Sequence, residues 1–97
     1  MNTLVSVAII PLGQEGSLAP IIAEVVKVIK DSGLNNKTTA MSTEIEGEWD
    51  AVMQVVKDAT FVLAERGIRT QVVLRADVKP GAKNMMEQKI KRLNQYL

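Results

Sequence analysis

The chain contains no cysteine and no histidine. Without cysteine there is no disulfide framework and no thiolate nucleophile. Without histidine the commonest general base and the commonest transition-metal ligand are gone. Together the two absences exclude Ser-His-Asp and Cys-His catalytic sets and zinc sites built from thiolate and imidazole. The acids match no calcium loop of the EF-hand type, so no metal and no cofactor is expected. Charge of one sign is also scarce. Twelve basic residues against eleven acidic ones leave +1, not the basic excess of a nucleic-acid binder. Nor do the first and fourth predicted strands carry the aromatics that an RRM needs. The apolar run Val7 to Pro11 is far too short to span a bilayer. Met1-Asn-Thr-Leu lacks the basic and apolar regions of a leader. A cytoplasmic protein with no membrane and no nucleic-acid partner is the expectation.

What is present is an ordinary globular balance, 46% hydrophobic and 24% charged over 97 residues, sized for one domain, residues 1–97. Thr3 to Pro11 reads as a first strand, apolar on both faces and hence central. Ser17 is a helix N-cap for a helix from Leu18, with Leu18, Ile21, Ile22, Val25 and Ile29 at helical spacing and Gly33 beyond its end. Lys37 to Ser42 and Thr43 to Gly47 form a hairpin. A second helix carries Trp49, Val52, Met53, Val56, Thr60 and Leu63 on one stripe and stops at Gly67. Ile68 to Ala76 is the fourth strand, Lys79-Pro80-Gly81 a turn, and Met86, Ile90, Leu93 and Leu97 mark a last amphipathic helix. The order βαββαβ plus a terminal helix predicts an α+β ferredoxin-like sandwich with one antiparallel sheet and two helices on one face. The open sheet face keeps apolar side chains, so contact with another subunit is expected.

Chemistry concentrates in Met41-Ser-Thr-Glu-Ile-Glu-Gly-Glu-Trp-Asp50. Acids at every second position line one face of a strand and can seat a cationic ring. The same acids can equally be a solvated hairpin followed by carboxylates that suit a helix dipole. Glu44 and Glu46 fall on the strand; Glu48 and Asp50 open the helix. Trp49 can stack on a ligand, although its register with Val52, Met53 and Val56 points inward. Ser6, Thr38, Thr39, Ser42 and Thr43 can meet a ligand or bond locally. Gly13 and Gly16 flank a pre-helix loop without the Lys-Ser/Thr ending of a P-loop. Arg69 and Arg75 share a strand face and can meet a phosphate, a carboxylate or solvent.

Ser6-Val-Ala-Ile-Ile-Pro-Leu-Gly13, Ser32-Gly33-Leu34 and, above all, Met41 to Asp50 followed by Val52-Met53 resemble the thiamine-binding protein family, the YkoF-like group of small ferredoxin-like proteins. The resemblance covers nearly the whole chain, while Arg75 to Gly81 is looser than the usual pattern. It implies a cytoplasmic ferredoxin-like protein, self-associated as a dimer or tetramer, that binds thiamine or its hydroxymethylpyrimidine moiety without turnover, in transport, salvage or storage. Chemistry and position then suggest Glu46 as acceptor for the ligand's amino group or cation. Ser6, Thr38 and Thr43 are its expected hydroxyl partners and Met41 an apolar wall. No catalytic residue is expected. The competing readings are an ACT-like regulatory module holding another small molecule at a subunit interface, and a plain oligomerisation protein.

Overall fold

The computed structural model describes residues 1–97. Its elements are β1 (Asn2–Pro11), α1 (Ala19–Asp31), β2 (Asn35–Thr38), β3 (Thr43–Glu48), α2 (Trp49–Ala64), β4 (Thr70–Val78) and α3 (Met85–Asn94). The sheet order is β2-β3-β1-β4, and every pair is antiparallel. This is the α+β, ferredoxin-like arrangement expected from the element order.

β1 divides the molecule. Thr3, Val5, Val7, Ile9 and Pro11 are buried, whereas Asn2, Leu4, Ser6, Ala8 and Ile10 are half-buried on the opposite face. Period-two alternation of side chains produces that split. Cross-strand pairing then assigns faces to the other strands. Ile45 and Thr43 pair with Val5 and Val7, and Leu74 and Val72 pair with Val7 and Ile9, all on the helix side. Glu44 and Glu46 pair with Ser6 and Leu4, and Arg75 and Asp77 pair with Ser6 and Leu4, all on the other side. The two acids of β3 therefore share a face, as the alternation required.

The core lies between the sheet and α1 and α2, with Val5, Ile29, Ile45, Val52 and Leu63 at its centre, each no more than 1% exposed. Burying such side chains contributes about 1.5–3 kcal/mol apiece. Gly33 and Gly67, with φ of 78° and 79°, close α1 and α2 in the left-handed conformation that costs glycine little.

Several boundaries and faces differ from expectation. The second strand occupies 35–38, because Thr39 N–H bonds Ser42 C=O at 2.8 Å and folds 39–42 into a turn. The fourth strand starts late because Ile68 N–H still bonds Leu63 C=O at the end of α2. α1 begins one residue after Leu18, although Ser17 Oγ does accept the Ala19 N–H at 3.3 Å. Trp49 is not a core residue: it opens α2 and is 44% exposed, near Met1 and Val78. Val55 and Ala59 occupy the stripe in its place. In α3 the docked residue is Met85, while Ile90, Leu93 and Leu97 are exposed.

Candidate functional site

Glu46 shows how the open face is organised. Its Oε2 accepts the Met85 N–H at 2.7 Å and the Asn2 amide at 2.7 Å, and its Oε1 accepts the Met86 N–H at 3.0 Å. These N–H groups belong to the first turn of α3, which has no intrahelical partners for them. Asn84, the residue preceding that turn, makes no side-chain cap. A strand residue 39 positions upstream of Met85 thus caps the helix in its place. Burial pushes the Glu46 carboxyl up, but the Met86 N–H, the Asn2 amide and the Met85 N–H outweigh it and hold the group below its ordinary value. A salt bridge from Lys89 to Asp77 at 2.7 Å fixes the next turn of α3 to β4.

Beside α3 the open face holds a polar recess of about 420 Å³ lined by Leu4, Ser6, Glu44, Arg75, Asp77 and Lys89. The uncharged Ser6 of β1 stands between Glu44 of β3 and Arg75 of β4, and Asp77 is already paired.

The helix side carries a different space. A cavity of about 470 Å³ opens between α1, the second half of β1 and the β2–β3 turn. Its apolar walls include Val7, Ile9, Ile22, Val25 and Ile29, and its polar wall is Thr38, Thr39, Ser42 and Thr43. No charged side chain lines it. The turn supplies the hydroxyls because β2 stops at Thr38 and the chain reverses within four residues. Thr38 and Thr43, cross-strand partners on the helix face, share an Oγ–Oγ hydrogen bond of 3.2 Å. Thr39 Oγ–H donates to Ser42 C=O at 3.1 Å. Met41 also lines the cavity and is 86% exposed, a flexible side chain at the mouth. Apolar walls with a few convergent polar groups suit a flat organic ring.

Of the residues expected at a site, Thr38, Met41 and Thr43 therefore come together around one cavity. Ser6 lies on the opposite sheet face, yet its Oγ–H donates to Ser42 Oγ at 3.2 Å, and Ser42 lines the cavity. Glu46 is separate, engaged by α3. The walls from α1 were not foreseen as such: the stripe Ile22, Val25 and Ile29 was legible in the sequence as core, and nothing in its spacing distinguishes a cavity wall from packed interior.

Comparison with known proteins places these features in context. A family model described as thiamine-binding protein matches residues 5–94. The UPF0045 protein Mb1933 of Mycobacterium bovis is 40% identical over all of this chain and 96% of its own length. The crystal structure of MJ1052 from Methanocaldococcus jannaschii superposes with a TM-score of 0.87 at 28% identity, covering 97% of each chain. A Thermotoga maritima protein, TM0486, provisionally named for thiamine biosynthesis or salvage, superposes with a TM-score of 0.80 at 25% identity, over 95% of this chain and 99% of its own.

Proposed function

The chain belongs to the thiamine-binding protein family, and from that premise we propose that it binds thiamine through the pyrimidine half, in the cavity beneath the β2–β3 turn. The observation that carries this reading is the composition of the cavity: apolar walls from β1 and α1, four hydroxyl residues on one side, and no ionisable group. An aminopyrimidine is flat, neutral at pH 7 and rich in hydrogen-bonding edges. Threonine and serine hydroxyls both donate and accept, so they can serve ring nitrogens and the exocyclic amine alike. The thiazolium is a fixed cation. Burying it in a cavity without a carboxylate costs several kcal/mol, so it stays at the mouth beside Met41.

Thr38, Thr43 and Ser42 are the direct polar partners in this account, Met41 is the movable wall, and Ser6 orients Ser42. Glu46 keeps α3 in place and does not take the ligand's amino group, a role that its three existing hydrogen bonds argue against. No ionisable side chain lines the cavity, so its hydroxyls have no adjacent base to activate them, which supports binding without turnover, in transport, salvage or storage in the cytoplasm. Self-association as a dimer or tetramer is part of the proposal. Val73 on β4 and Ile90 and Leu93 on α3 are 62%, 56% and 54% exposed, large apolar side chains that a second subunit would cover. No helix is long and apolar enough to cross a membrane, and the near-neutral charge speaks against nucleic acid.

Titration calorimetry with thiamine and with hydroxymethylpyrimidine tests the assignment. Saturable binding of both, within about tenfold of each other, is expected if the pyrimidine supplies most of the recognised surface. Binding of thiamine with none of the pyrimidine alone contradicts it.

A further inference from the structure

A second cavity, of about 420 Å³, lies between the β4–α3 loop and one face of α3. Lys79, Lys83, Lys89 and Arg92 line it, and Asp77 is its single acid. Asp77 is matched by Lys89 at 2.7 Å, whereas Lys79, Lys83 and Arg92 have no carboxylate within salt-bridge distance. Met85, Gln88, Lys89 and Arg92 line the cavity together because residues three, four and seven apart share a helix face.

A basic surface can be no more than solvated charge, and Arg92 in the last turn of α3 suits the helix dipole without any ligand. Lys79 and Lys83 precede α3, whose first-turn N–H groups are already met by the Glu46 carboxylate, and Lys83 also lines a recess with Glu46 and Glu48. What sets the group apart from scattered surface charge is its arrangement: Lys79, Lys83 and Arg92, none in a salt bridge, share one concavity whose single acid, Asp77, is already paired. Lysine serves there as a point charge and arginine as a two-pronged donor toward phosphate oxygens.

We propose that this cavity is an anion site for a small molecule bearing a diphosphate or longer phosphate chain. Its concavity and size favour a small ligand over the phosphate backbone of a nucleic acid or a lipid surface, each of which needs an extended basic face. The site is independent of the pyrimidine cavity. Val78 of β4 pairs with Thr3, at the start of β1, whereas the pyrimidine cavity begins at Val7 and extends to Pro11 on the same strand. Thr3 and Ile9 are separated by about 20 Å of strand, and the two cavities lie mainly on opposite sheet faces. One thiamine diphosphate molecule cannot occupy both, so failure of this proposal leaves the pyrimidine assignment intact.

The test is titration calorimetry of the full chain with inorganic diphosphate, beside inorganic phosphate, sulfate, a DNA duplex and anionic phosphatidylserine vesicles. Saturable diphosphate binding, tighter than phosphate or sulfate, is expected. The double variant Lys83→Gln/Arg92→Gln should weaken it by at least about tenfold, since charge-assisted contacts dominate such sites, while Lys30→Gln on α1 should leave it unchanged. Amide shifts in the wild-type protein should centre on Lys83, Gln88 and Arg92, which keeps the result independent of how the variants fold. The proposal is overturned by no saturation at millimolar diphosphate, by undiminished binding in the double variant, by equal affinity for sulfate, or by binding of only DNA or vesicles.

Discussion

The carboxylate of Glu46 accepts the backbone N–H of Met85 at 2.7 Å, and through this contact a central-sheet residue decides where the C-terminal helix docks. With Met86 N–H at 3.0 Å the same side chain satisfies two of the orphan donors that every helix start exposes. Glu46→Gln removes the charge and leaves only one good acceptor oxygen. The expected cost is about 1.5–3 kcal/mol, the range for hydrogen bonds to a charged group. Urea unfolding measures it, and hydrogen exchange should show Met85 and Met86 amides opening faster than those of α1 or α2.

The same carboxylate sets an acid limit. Its folded pKa lies below the ordinary glutamate value of 4.5, so the stabilisation is fully present above that value and is lost as pH falls through the lowered one. Asp77, held below its ordinary value by Lys89, titrates in the same direction. Stability measured from pH 7 downward should therefore fall below about pH 4.5, with α3 loosening early. In Glu46→Gln the fall should be shallower, and an identical profile in both proteins contradicts the capping role.

Gly47 matters for packing rather than for backbone freedom. A Cβ there meets Leu34 Cδ2 at 3.2 Å and Val52 Cγ2 at 3.5 Å. Leu34 can give way by a few tenths of an ångström, so Gly47→Ala should cost about 1 kcal/mol, at the low end for overpacking. A thermal melt checks this.

Thr43 is 6% exposed, and its hydroxyl faces Thr38 across the cavity wall. Thr43→Val keeps the shape and removes the hydroxyl. Loss of one hydrogen bond to a bound pyrimidine corresponds to about tenfold weaker binding. Stability should change by less, about 1 kcal/mol or under, because Thr38 is exposed and can bond to water.

The Val- and Ile-rich run Thr3 to Pro11, apolar on both faces, and helical spacing in the two long helices made the central strand and the helices legible in the sequence, and the βαββαβ order made the topology so. Thr38, Thr39, Ser42 and Thr43 were legible as hydroxyls able to meet a ligand or bond locally; their convergence comes from the turn at 39–42, residues expected to belong to the second strand. Two features were not legible. Glu46 looked free because its partners are backbone N–H groups of Met85 and Met86, and backbone donors leave no trace in residue identity. Trp49 looked buried because it is in register with Val52 and Val56, yet at the first position of α2 it projects past the end of the sheet beside Met1. Both depend on how elements distant in sequence are placed, which local patterns do not encode.

The central claim is that the pyrimidine half of thiamine enters the cavity between α1 and the β2–β3 turn. Amide shift mapping during titration with hydroxymethylpyrimidine tests it most directly. The account predicts saturable shifts at Val25, Ile29, Thr38, Ser42 and Thr43, which surround that cavity. Shifts confined to Arg75, Asp77 and Lys89, which line the recess on the opposite sheet face, would contradict it.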